Sequence, residues 1–241
     1  MSKKKKLTFT FEQKKIRKGF SFVIGCDEVG RGCLAGPVVA VAIALKPLNK
    51  KDKAQVESYK NINDSKVLSE TQRELTERMI KPYLLCSGIG VVSEKVVDEV
   101  NIHNASLLAM RKAVENLVKS VACESKKIKI FVRKKTKNIF LVVDGKFLAF
   151  KADDVKIKIM NCGYNLVQEA LVGADGKIIS VAAASVVAKV YRDKLMKKMN
   201  EKFPEYGFAK HKGYATFHHR EAIKKFGLTV KHRRTFCKKF L

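Results

Sequence analysis

The sequence predicts a β-sheet with helices packed on its faces, which is the α/β or α+β class. Strand-like segments dominate the first half of the chain, beginning with the apolar and aromatic residues 20–25 and the continuous apolar run Val38–Leu45. Helical periodicity dominates the second half and is strongest in residues 180–200. The partial alternation of the two patterns is typical of a single sheet covered by helices.

The other elements are predicted from local patterns. Ser69 and Gln72 have capping-box spacing, so a helix should begin after Ser69 and extend to about Ile80. Further strands are expected at residues 83–92, 128–132, 139–143 and 155–160. Further helices are expected at residues 93–121, with a break near 101–104, and at 216–226. Loops or tails are predicted for the polar residues 46–63, the glycine- and aromatic-rich residues 203–214 and the basic residues 230–241.

The chain is strongly basic, with 50 Lys and Arg against 23 Asp and Glu and a formal net charge of +27. Such an excess indicates a polyanionic partner, although a generally lysine-rich proteome would also produce it. Nucleic acid is the first candidate and an anionic membrane surface is the second. The basic residues are spread along the chain and not confined to one amphipathic helix, which disfavours a membrane partner.

The cellular compartment is predicted from the lack of membrane-span, signal-peptide and paired-cysteine patterns in the sequence. No apolar stretch has the length of a membrane span, and no signal-peptide pattern follows the N-terminal lysine run. The six cysteines form no CxxC pair, and no histidine stands at zinc-ligand spacing from one. We therefore expect reduced thiols in a cytoplasmic protein that does not contact a membrane.

Four carboxylates stand at positions typical of a ligand site. Asp27 and Glu28 directly follow the first strand, Asp144 ends a later strand, and Asp175 precedes the long helix. Acidic groups at strand ends can converge at one edge of a sheet, where they repel one another unless a cation binds. Their oxygen ligands suit Mg²⁺ or Mn²⁺, and two such ions about 4 Å apart can promote phosphodiester hydrolysis. The alternative is that each aspartate caps a turn or a helix.

Basic and aromatic residues add candidate contacts for a nucleic acid. The turn Gly30-Arg31-Gly32 lets the backbone approach a ligand and offers a forked donor for phosphate, or it is a plain tight turn. Tyr214 lies in a basic loop whose aromatic rings could stack on a base or sugar, whereas Phe208 is better interpreted as a core residue. The His-Arg-Arg sequence at residues 232–234 predicts either a phosphate contact or a solvated tail.

Several strings of residues, taken in order, resemble the bacterial-type ribonuclease HII family. The most specific is Gly25-Cys26-Asp27-Glu28-Val29-Gly30-Arg31-Gly32. The others, in the family's order, are Asn63-Asp64-Ser65-Lys66, Val143-Asp144-Gly145, residues 182–189 with Arg192-Asp193, His211-Lys212-Gly213-Tyr214 with Thr216, and His232-Arg233-Arg234. The resemblance extends from about Phe22 to Phe236, and its Gly-Arg-Gly turn favours the HII type over the related HIII type.

The resemblance implies an RNase H-like mixed β-sheet flanked by helices, with a helical C-terminal extension. On this basis residues 1–19 are a basic N-terminal arm, residues 20–200 the catalytic domain and residues 201–241 a helical substrate-binding segment. The implied activity is endonucleolytic hydrolysis of the RNA strand of RNA–DNA hybrids and cutting 5′ to ribonucleotides embedded in duplex DNA. The products would carry a 3′-hydroxyl and a 5′-phosphate. We expect a monomer that removes RNA primers and misincorporated ribonucleotides.

The resemblance also implies a role for each candidate residue. The ligands of the Mg²⁺ or Mn²⁺ ions would be Asp27, Glu28, Asp144 and Asp175, and our hypothesis is that Asp27 bridges two ions. The 2′-hydroxyl at the RNA–DNA junction would be read by Gly30, Arg31 and Gly32. Tyr214 would pack on the deoxyribose after that junction, and Lys66 would contact a phosphate.

The chain departs from the family pattern at a few positions. Cys33 stands where proline is usual, Val67 where lysine is common and Ala174 where glycine is usual. The separation between Asp144 and Asp175 is also longer than expected. Asp153 and Asp154 are therefore alternatives to Asp175, although Asp175 has the expected distance to residues 182–185.

Two other functions remain open from the sequence. The first is a different nuclease with an RNase H-like core, acting for example on branched DNA, which would not require a ribonucleotide. The second is a non-catalytic basic nucleic-acid-binding protein, in which the carboxylates would be structural and divalent metal would barely change stability.

Overall fold

A five-stranded mixed sheet forms the centre of the computed structural model, which describes residues 7–63, 65–123, 138–150 and 164–240. The strands are Val23–Val29 (β1), Val38–Leu45 (β2), Leu84–Val92 (β3), Asn138–Asp144 (β4) and Asn165–Leu171 (β5). Their order across the sheet is β3-β2-β1-β4-β5. The pairs β1–β2 and β2–β3 are antiparallel, whereas β4 runs parallel to both β1 and β5. The predicted fold class is therefore confirmed.

Helices cover the sheet and form the C-terminal part of the chain. Within the described residues they are Thr10–Arg17 (α1), Lys53–Lys60 (α2), Glu70–Ile80 (α3), Glu94–Cys123 (α4), Ile179–Lys202 (α5), Phe208–His211 (α6), Phe217–Phe226 (α7) and Arg234–Cys237 (α8). The capping box predicted for α3 is present, because Ser69 and Gln72 exchange hydrogen bonds between side chain and backbone. The predicted break in α4 is present at Asn101, whose φ is 65°.

The alternation of side chains along β2 explains why helices pack on both faces of the sheet. Val39, Val41 and Ile43 belong to a cluster that includes residues of α2 and α5. Ala40 and Ala42 belong to the cluster on the opposite face, which includes residues of α4. Every residue of β2 is buried, so its continuous apolar run is that of a strand covered on both sides.

The start of α5 packs very closely on β1. A Cβ atom added to Gly25 would lie 2.2 Å from the backbone carbonyl carbon of Ser180, so a larger residue could not occupy this position without displacing the helix. Because Asp27 follows Gly25 by two residues and Asp175 precedes α5, this contact brings the two aspartates toward each other.

The segment predicted as a basic arm contains a helix that packs on the domain. Glu12 of α1 is buried, and its Oε1 accepts hydrogen bonds from the backbone nitrogen of Ser180 at 2.9 Å and from its hydroxyl at 2.8 Å. Ser180 lies in the first turn of α5, where backbone N–H groups have no partner within the helix. The Glu12 carboxylate thus caps α5 from another helix, and residues 10–17 are an integral part of the fold.

Other predictions for local structure need correction. The predicted loop at residues 46–63 contains α2, which is capped by a hydrogen bond of 3.0 Å from the Gln55 nitrogen to Asp52 Oδ1. Strand β5 was not predicted, because its polar residues mask the strand pattern and its pairing with β4 stabilises it. The predicted loop at 203–214 contains α6, and the predicted tail contains α8. The strands predicted at 128–132 and 155–160 lie outside the described residues.

The C-terminal segments form a small core of their own. This cluster joins the turn after β1 to α5, α7 and α8, and it contains Leu34, Ala35, Met196, Tyr206, Phe208, Ala222, Ile223 and Cys237. Phe208 is fully buried there, which confirms its prediction as a core residue. The described helices are all too short or too polar to cross a membrane. The cysteines with described side chains, Cys26, Cys33, Cys86 and Cys237, are buried and form no disulfide with one another.

Candidate active site

Three aspartates converge at one edge of the sheet. Asp27 lies near the carboxyl end of β1 and Asp144 at the carboxyl end of β4, and these two strands are parallel neighbours. Asp175 lies in the short 3-10 turn that precedes α5. One carboxylate oxygen of each aspartate lies within 4.8 Å of the others. The carboxyl ends of parallel strands meet at the same edge, which explains this convergence of residues that are distant in sequence.

The electrostatics of this cluster are unfavourable when no cation is bound. Burial raises the pKa of Asp27 well above its ordinary value, and the negative charge of Glu28 raises it further. A hydrogen bond with the Ser185 side chain opposes this rise in the Asp27 pKa. Burial also raises the pKa of Asp144, although the backbone N–H of Ala174 donates to its Oδ1 at 2.8 Å. The charged form of these carboxylates is therefore disfavoured, and a bound cation would stabilise it.

Glu28 is not a member of the three-aspartate group. Its Oε1 accepts a hydrogen bond of 2.9 Å from Arg31 Nη1, and only 8% of its side chain is exposed. Burial raises the pKa of Glu28, and the hydrogen bond from Arg31 lowers it. The predicted ligand Glu28 is thus next to the cluster but paired with the arginine of the Gly-Arg-Gly turn.

The donor set fits a hard divalent cation. All the candidate ligands are carboxylate oxygens, which Mg²⁺ and Mn²⁺ prefer and which do not favour zinc. The cation nearest to the cluster in the described structure is Lys66, whose Nζ lies 2.9 Å from Asp175 Oδ2. Asp153 and Asp154, the alternatives to Asp175 that the sequence left open, lie outside the described residues.

The turn Gly30-Arg31-Gly32 forms the wall of the same cavity. Gly30 has a φ of +93°, and a Cβ on it would lie 2.2 Å from Nε of the buried Arg192. A Cβ on Gly32 would meet nothing within 4 Å, so the surface above Gly32 is open to a ligand. The first glycine is therefore required by packing and backbone conformation, whereas the second leaves room beside the carboxylates.

Tyr214 lines the cavity from the other side. The cavity has a volume of 450 Å³ and is lined by the three-residue turn, by Asp27, Glu28 and Asp144, and by Lys66 and Tyr214. Tyr214 is 41% exposed, so its ring is available to a ligand. Its loop is attached directly to the turn, because Cys33 pairs with Tyr214 and the Leu34 nitrogen donates to the Gly213 carbonyl at 2.8 Å.

The basic C-terminal segment contributes to the site by hydrogen bonding to the backbone of the Gly-Arg-Gly turn and of the residues that follow it. Arg233 is fully buried and donates from Nη1 to the Arg31 carbonyl at 2.9 Å and from Nη2 to the Gly36 carbonyl at 2.7 Å. Burial lowers the pKa of Arg233 to about 10. His232 is also buried, and Arg234 is exposed. For His232 and Arg233, the predicted phosphate contact and the predicted solvated tail are both wrong, because both side chains are buried: Arg233 holds the turn, and His232 bonds to His219 and Thr229.

Several residues in and beside the cavity had no predicted role. Lys189 and Asp193 lie one helical turn apart on α5 and form an ion pair of 2.7 Å. Ser185, on the same helix, lies 2.8 Å from the Ser65 hydroxyl. Arg73 of α3 donates to the Ser65 carbonyl at 3.1 Å. The spacing of Lys189 and Asp193 could have indicated their pairing, but nothing local in the sequence connects Arg73 to this cavity.

The mixed sheet and the carboxylate cluster at its edge define a hydrolase of the RNase H-like class. A family model described as ribonuclease HII matches residues 24–239. A ribonuclease HII of Acetivibrio thermocellus is 40% identical over 231 residues, which are 96% of this chain and 75% of that protein. The chain therefore belongs to the ribonuclease HII family.

Solved structures agree with this fold. The ribonuclease H2 of Pyrococcus horikoshii OT3 superposes with a TM-score of 0.60 at 24% identity, covering 90% of this chain and 96% of that chain. Bst-RNase HIII, solved in complex with Mn²⁺, superposes with a TM-score of 0.59 at 18% identity, covering 89% of this chain and 64% of that chain.

Family membership establishes the general activity. The protein is an endoribonuclease of the ribonuclease H type, a hydrolase that acts on the RNA of RNA–DNA hybrids. Enzymes of this type need divalent metal ions, and the three-aspartate group offers the carboxylate oxygens that such ions prefer.

Proposed function

We propose that this enzyme cuts duplex DNA on the 5′ side of embedded ribonucleotides, as well as the RNA strand of longer hybrids, by two-metal-ion hydrolysis. The observation that carries the proposal is the shared cavity, in which the Gly30-Arg31-Gly32 turn and Tyr214 lie beside Asp27 and Asp144. The residues proposed to contact the 2′-hydroxyl and the following sugar thus line the same cavity as the carboxylates.

The proposed metal ligands are Asp27, Asp144, Asp175 and Glu28. The chemistry that two bound Mg²⁺ or Mn²⁺ ions supply is activation of the attacking water and stabilisation of the leaving oxygen of the phosphodiester. Support for Asp27 as the shared ligand comes from its position, since it is buried and the charges of Glu28, Asp144 and Asp175 each raise its pKa. Glu28 can join the set when Arg31 turns from its carboxylate toward the substrate.

We propose that different residues of the cavity contact the polar and the apolar parts of the substrate. Arg31 would donate a hydrogen bond to the 2′-hydroxyl, the group that distinguishes RNA from DNA at a single position, and the open backbone at Gly32 would donate from its N–H or accept at its carbonyl. Tyr214 offers an exposed ring to the apolar face of a deoxyribose, which has no 2′-hydroxyl to desolvate. Lys66, which is 74% exposed at its side chain, would contact a neighbouring phosphate.

The proposed biological role is the removal of RNA primers and of single ribonucleotides from DNA. The net charge of +27 supports a duplex substrate, because a polyanion is attracted to the whole protein and not only to the cavity. A cytoplasmic location and a monomeric state remain predictions.

The test is cleavage of duplex DNA that contains one ribonucleotide, compared with an all-DNA duplex and a long RNA–DNA hybrid, in Mg²⁺, in Mn²⁺ and with chelator. We expect one metal-dependent cut on the 5′ side of the ribonucleotide and no cut in the all-DNA duplex. Cleavage of the long hybrid alone would contradict junction reading by Tyr214 and Arg31. Cleavage of all-DNA substrates would favour a different RNase H-like nuclease, and folded protein without any cleavage would favour a binding protein.

A further inference from the structure

Two buried histidines form a continuous hydrogen-bonded chain that ends on the backbone of Tyr214. The Nδ1 atom of His219 lies 2.9 Å from the Tyr214 carbonyl oxygen, and its Nε2 lies 3.1 Å from Nε2 of His232. The Nδ1 atom of His232 lies 3.0 Å from the backbone nitrogen of Thr229. His219 is completely buried and His232 is 3% exposed, so water does not compete for these bonds.

The chain of contacts determines the position of every imidazole proton. A carbonyl oxygen only accepts, so Nδ1 of His219 carries its proton and donates to Tyr214. A backbone N–H only donates, so Nδ1 of His232 accepts from Thr229, and the proton of His232 lies on Nε2. That proton is donated to the remaining acceptor, Nε2 of His219. Each ring therefore uses one donor and one acceptor, and both rings are neutral.

The surroundings favour the neutral rings. Burial lowers the pKa of His219 to about 4 and that of His232 to about 4. His211 stacks on His219 with ring centroids 4.4 Å apart, and its Nδ1 accepts from the Gly213 nitrogen at 3.2 Å. The backbone atoms of Gly213 and Tyr214 are thus both held by imidazoles.

We infer that His219, oriented by His232, is a positioning residue that aims Tyr214 at the substrate and so sets the preference for an RNA–DNA junction. Neither imidazole lines the cavity that holds the carboxylates, and each acts through the loop backbone. The inference rests on the proposed function, in which Tyr214 reads the deoxyribose. The backbone of His232 pairs with that of Ala35, which follows the Gly-Arg-Gly turn. The histidine pair is therefore connected both to Tyr214 and to the segment that carries the turn.

The two ends of the His219 ring can be tested separately by amide substitutions. In His219→Asn, the amide nitrogen can occupy the position of Nδ1 and keep the bond to the Tyr214 carbonyl. In His219→Gln, the amide reaches the position of Nε2, and the Tyr214 carbonyl loses its donor. His218→Gln, at the exposed neighbouring position, is the matched control.

The measurement is kcat/KM on duplex DNA with one ribonucleotide, divided by kcat/KM on a uniform RNA–DNA hybrid. We expect His219→Gln to lower this ratio about fivefold to tenfold, which is the effect of one lost hydrogen bond, while His219→Asn and His218→Gln keep it. Equal losses on both substrates would overturn the inference, because that is the effect of general destabilisation. If His219→Gln does not fold, His232→Phe removes the donor to His219 and is expected to lower the same ratio.

A second readout uses the unmodified protein. Imidazole ¹⁵N chemical shifts at pH 7 should identify His219 as the Nδ1–H tautomer and His232 as the Nε2–H tautomer, and any other assignment would overturn the inference. Tyr214→Ala separates the two levels of argument. An unchanged ratio in Tyr214→Ala contradicts the proposed role of Tyr214, whereas a lowered ratio there with an unchanged ratio in His219→Gln contradicts only the role of His219.

Discussion

Lys66 Nζ lies 2.9 Å from Asp175 Oδ2, so a lysine ammonium contacts the carboxylate cluster. The Lys66 side chain is 74% exposed, whereas that of Asp175 is 6% exposed, and water around the ammonium limits the contribution of the pair to about 1 kcal/mol. The contact therefore adds little to stability, and its importance is expected in substrate binding.

We expect Lys66→Ala to leave the free energy of unfolding within about 1 kcal/mol of the original value and to raise KM for a hybrid duplex. The slope of log affinity against log salt concentration should fall in magnitude by about one, because one phosphate contact is lost. Binding titrations at several salt concentrations measure this slope. Lys60→Ala, at an exposed position outside the cavity, serves as the control, and an unchanged slope in Lys66→Ala would remove this residue from the phosphate contacts.

The charge on Asp27 is predicted to reduce stability in exchange for activity. Burial raises the pKa of Asp27, which means that the folded protein tolerates its charged form poorly. Asp27→Asn should therefore raise the free energy of unfolding in chelator by about 1 kcal/mol or more, and with it the melting temperature. The same substitution should abolish cleavage. Thermal unfolding with and without Mn²⁺ tests the site further, since the metal-dependent rise seen in the original protein should be absent in the variant. Retained cleavage would exclude Asp27 as a metal ligand.

The cap that α1 provides for α5 predicts a stability effect far from the cavity. Glu12→Ala leaves the buried Ser180 nitrogen and hydroxyl without an acceptor, so the free energy of unfolding should fall by about 2 kcal/mol. Chemical denaturation measures this loss, with Lys14→Ala at an exposed position of α1 as the control. Equal stability of the two variants would mean that α1 does not support the start of α5.

Arg233 is predicted to act through structure and not through phosphate binding. Arg233→Lys keeps the positive charge but cannot make the forked contacts with the Gly36 and Arg31 carbonyls. We expect a loss of about 2 kcal/mol or more in unfolding free energy and a similar loss of activity on every substrate. Arg234→Lys should preserve both properties, because Arg234 is exposed. A stable Arg233→Lys enzyme with weakened substrate binding alone would restore the phosphate interpretation.

The buried histidines predict how stability depends on pH. Their folded pKa of about 4 is below the ordinary value of 6.5, so the unfolded chain binds more protons between these limits. Their contribution to stability is constant above pH 6.5 and decreases as the pH falls toward 4, by up to about 1.4 kcal/mol per pH unit for each ring. The carboxylate cluster changes in the opposite direction, because its pKa values are raised. The measurement is therefore the difference between the original protein and His219→Asn, which should show a shallower loss between pH 6.5 and 5.

The sequence by itself determined the fold class, the strand β2, the capped start of α3 and the break at Asn101. It also singled out every residue of the three-aspartate group, because Asp27 and Asp144 come at the ends of strands and Asp175 comes just before a helix. These features depend on neighbours in sequence, such as alternating burial, capping hydrogen bonds and turn glycines. Local chemistry is sufficient to predict them.

Tertiary structure alone decided which polar side chains support the site and which face the ligand. Arg233 was indistinguishable from Arg234 in sequence, yet one is buried under the Gly-Arg-Gly turn and the other is exposed. Glu12, in a segment predicted as a basic arm, caps a helix that begins 167 positions later. Strand β5 exists because β4 provides its hydrogen-bond partners. In each case the partner is distant along the chain, and the free energy of burying a polar group depends on that partner.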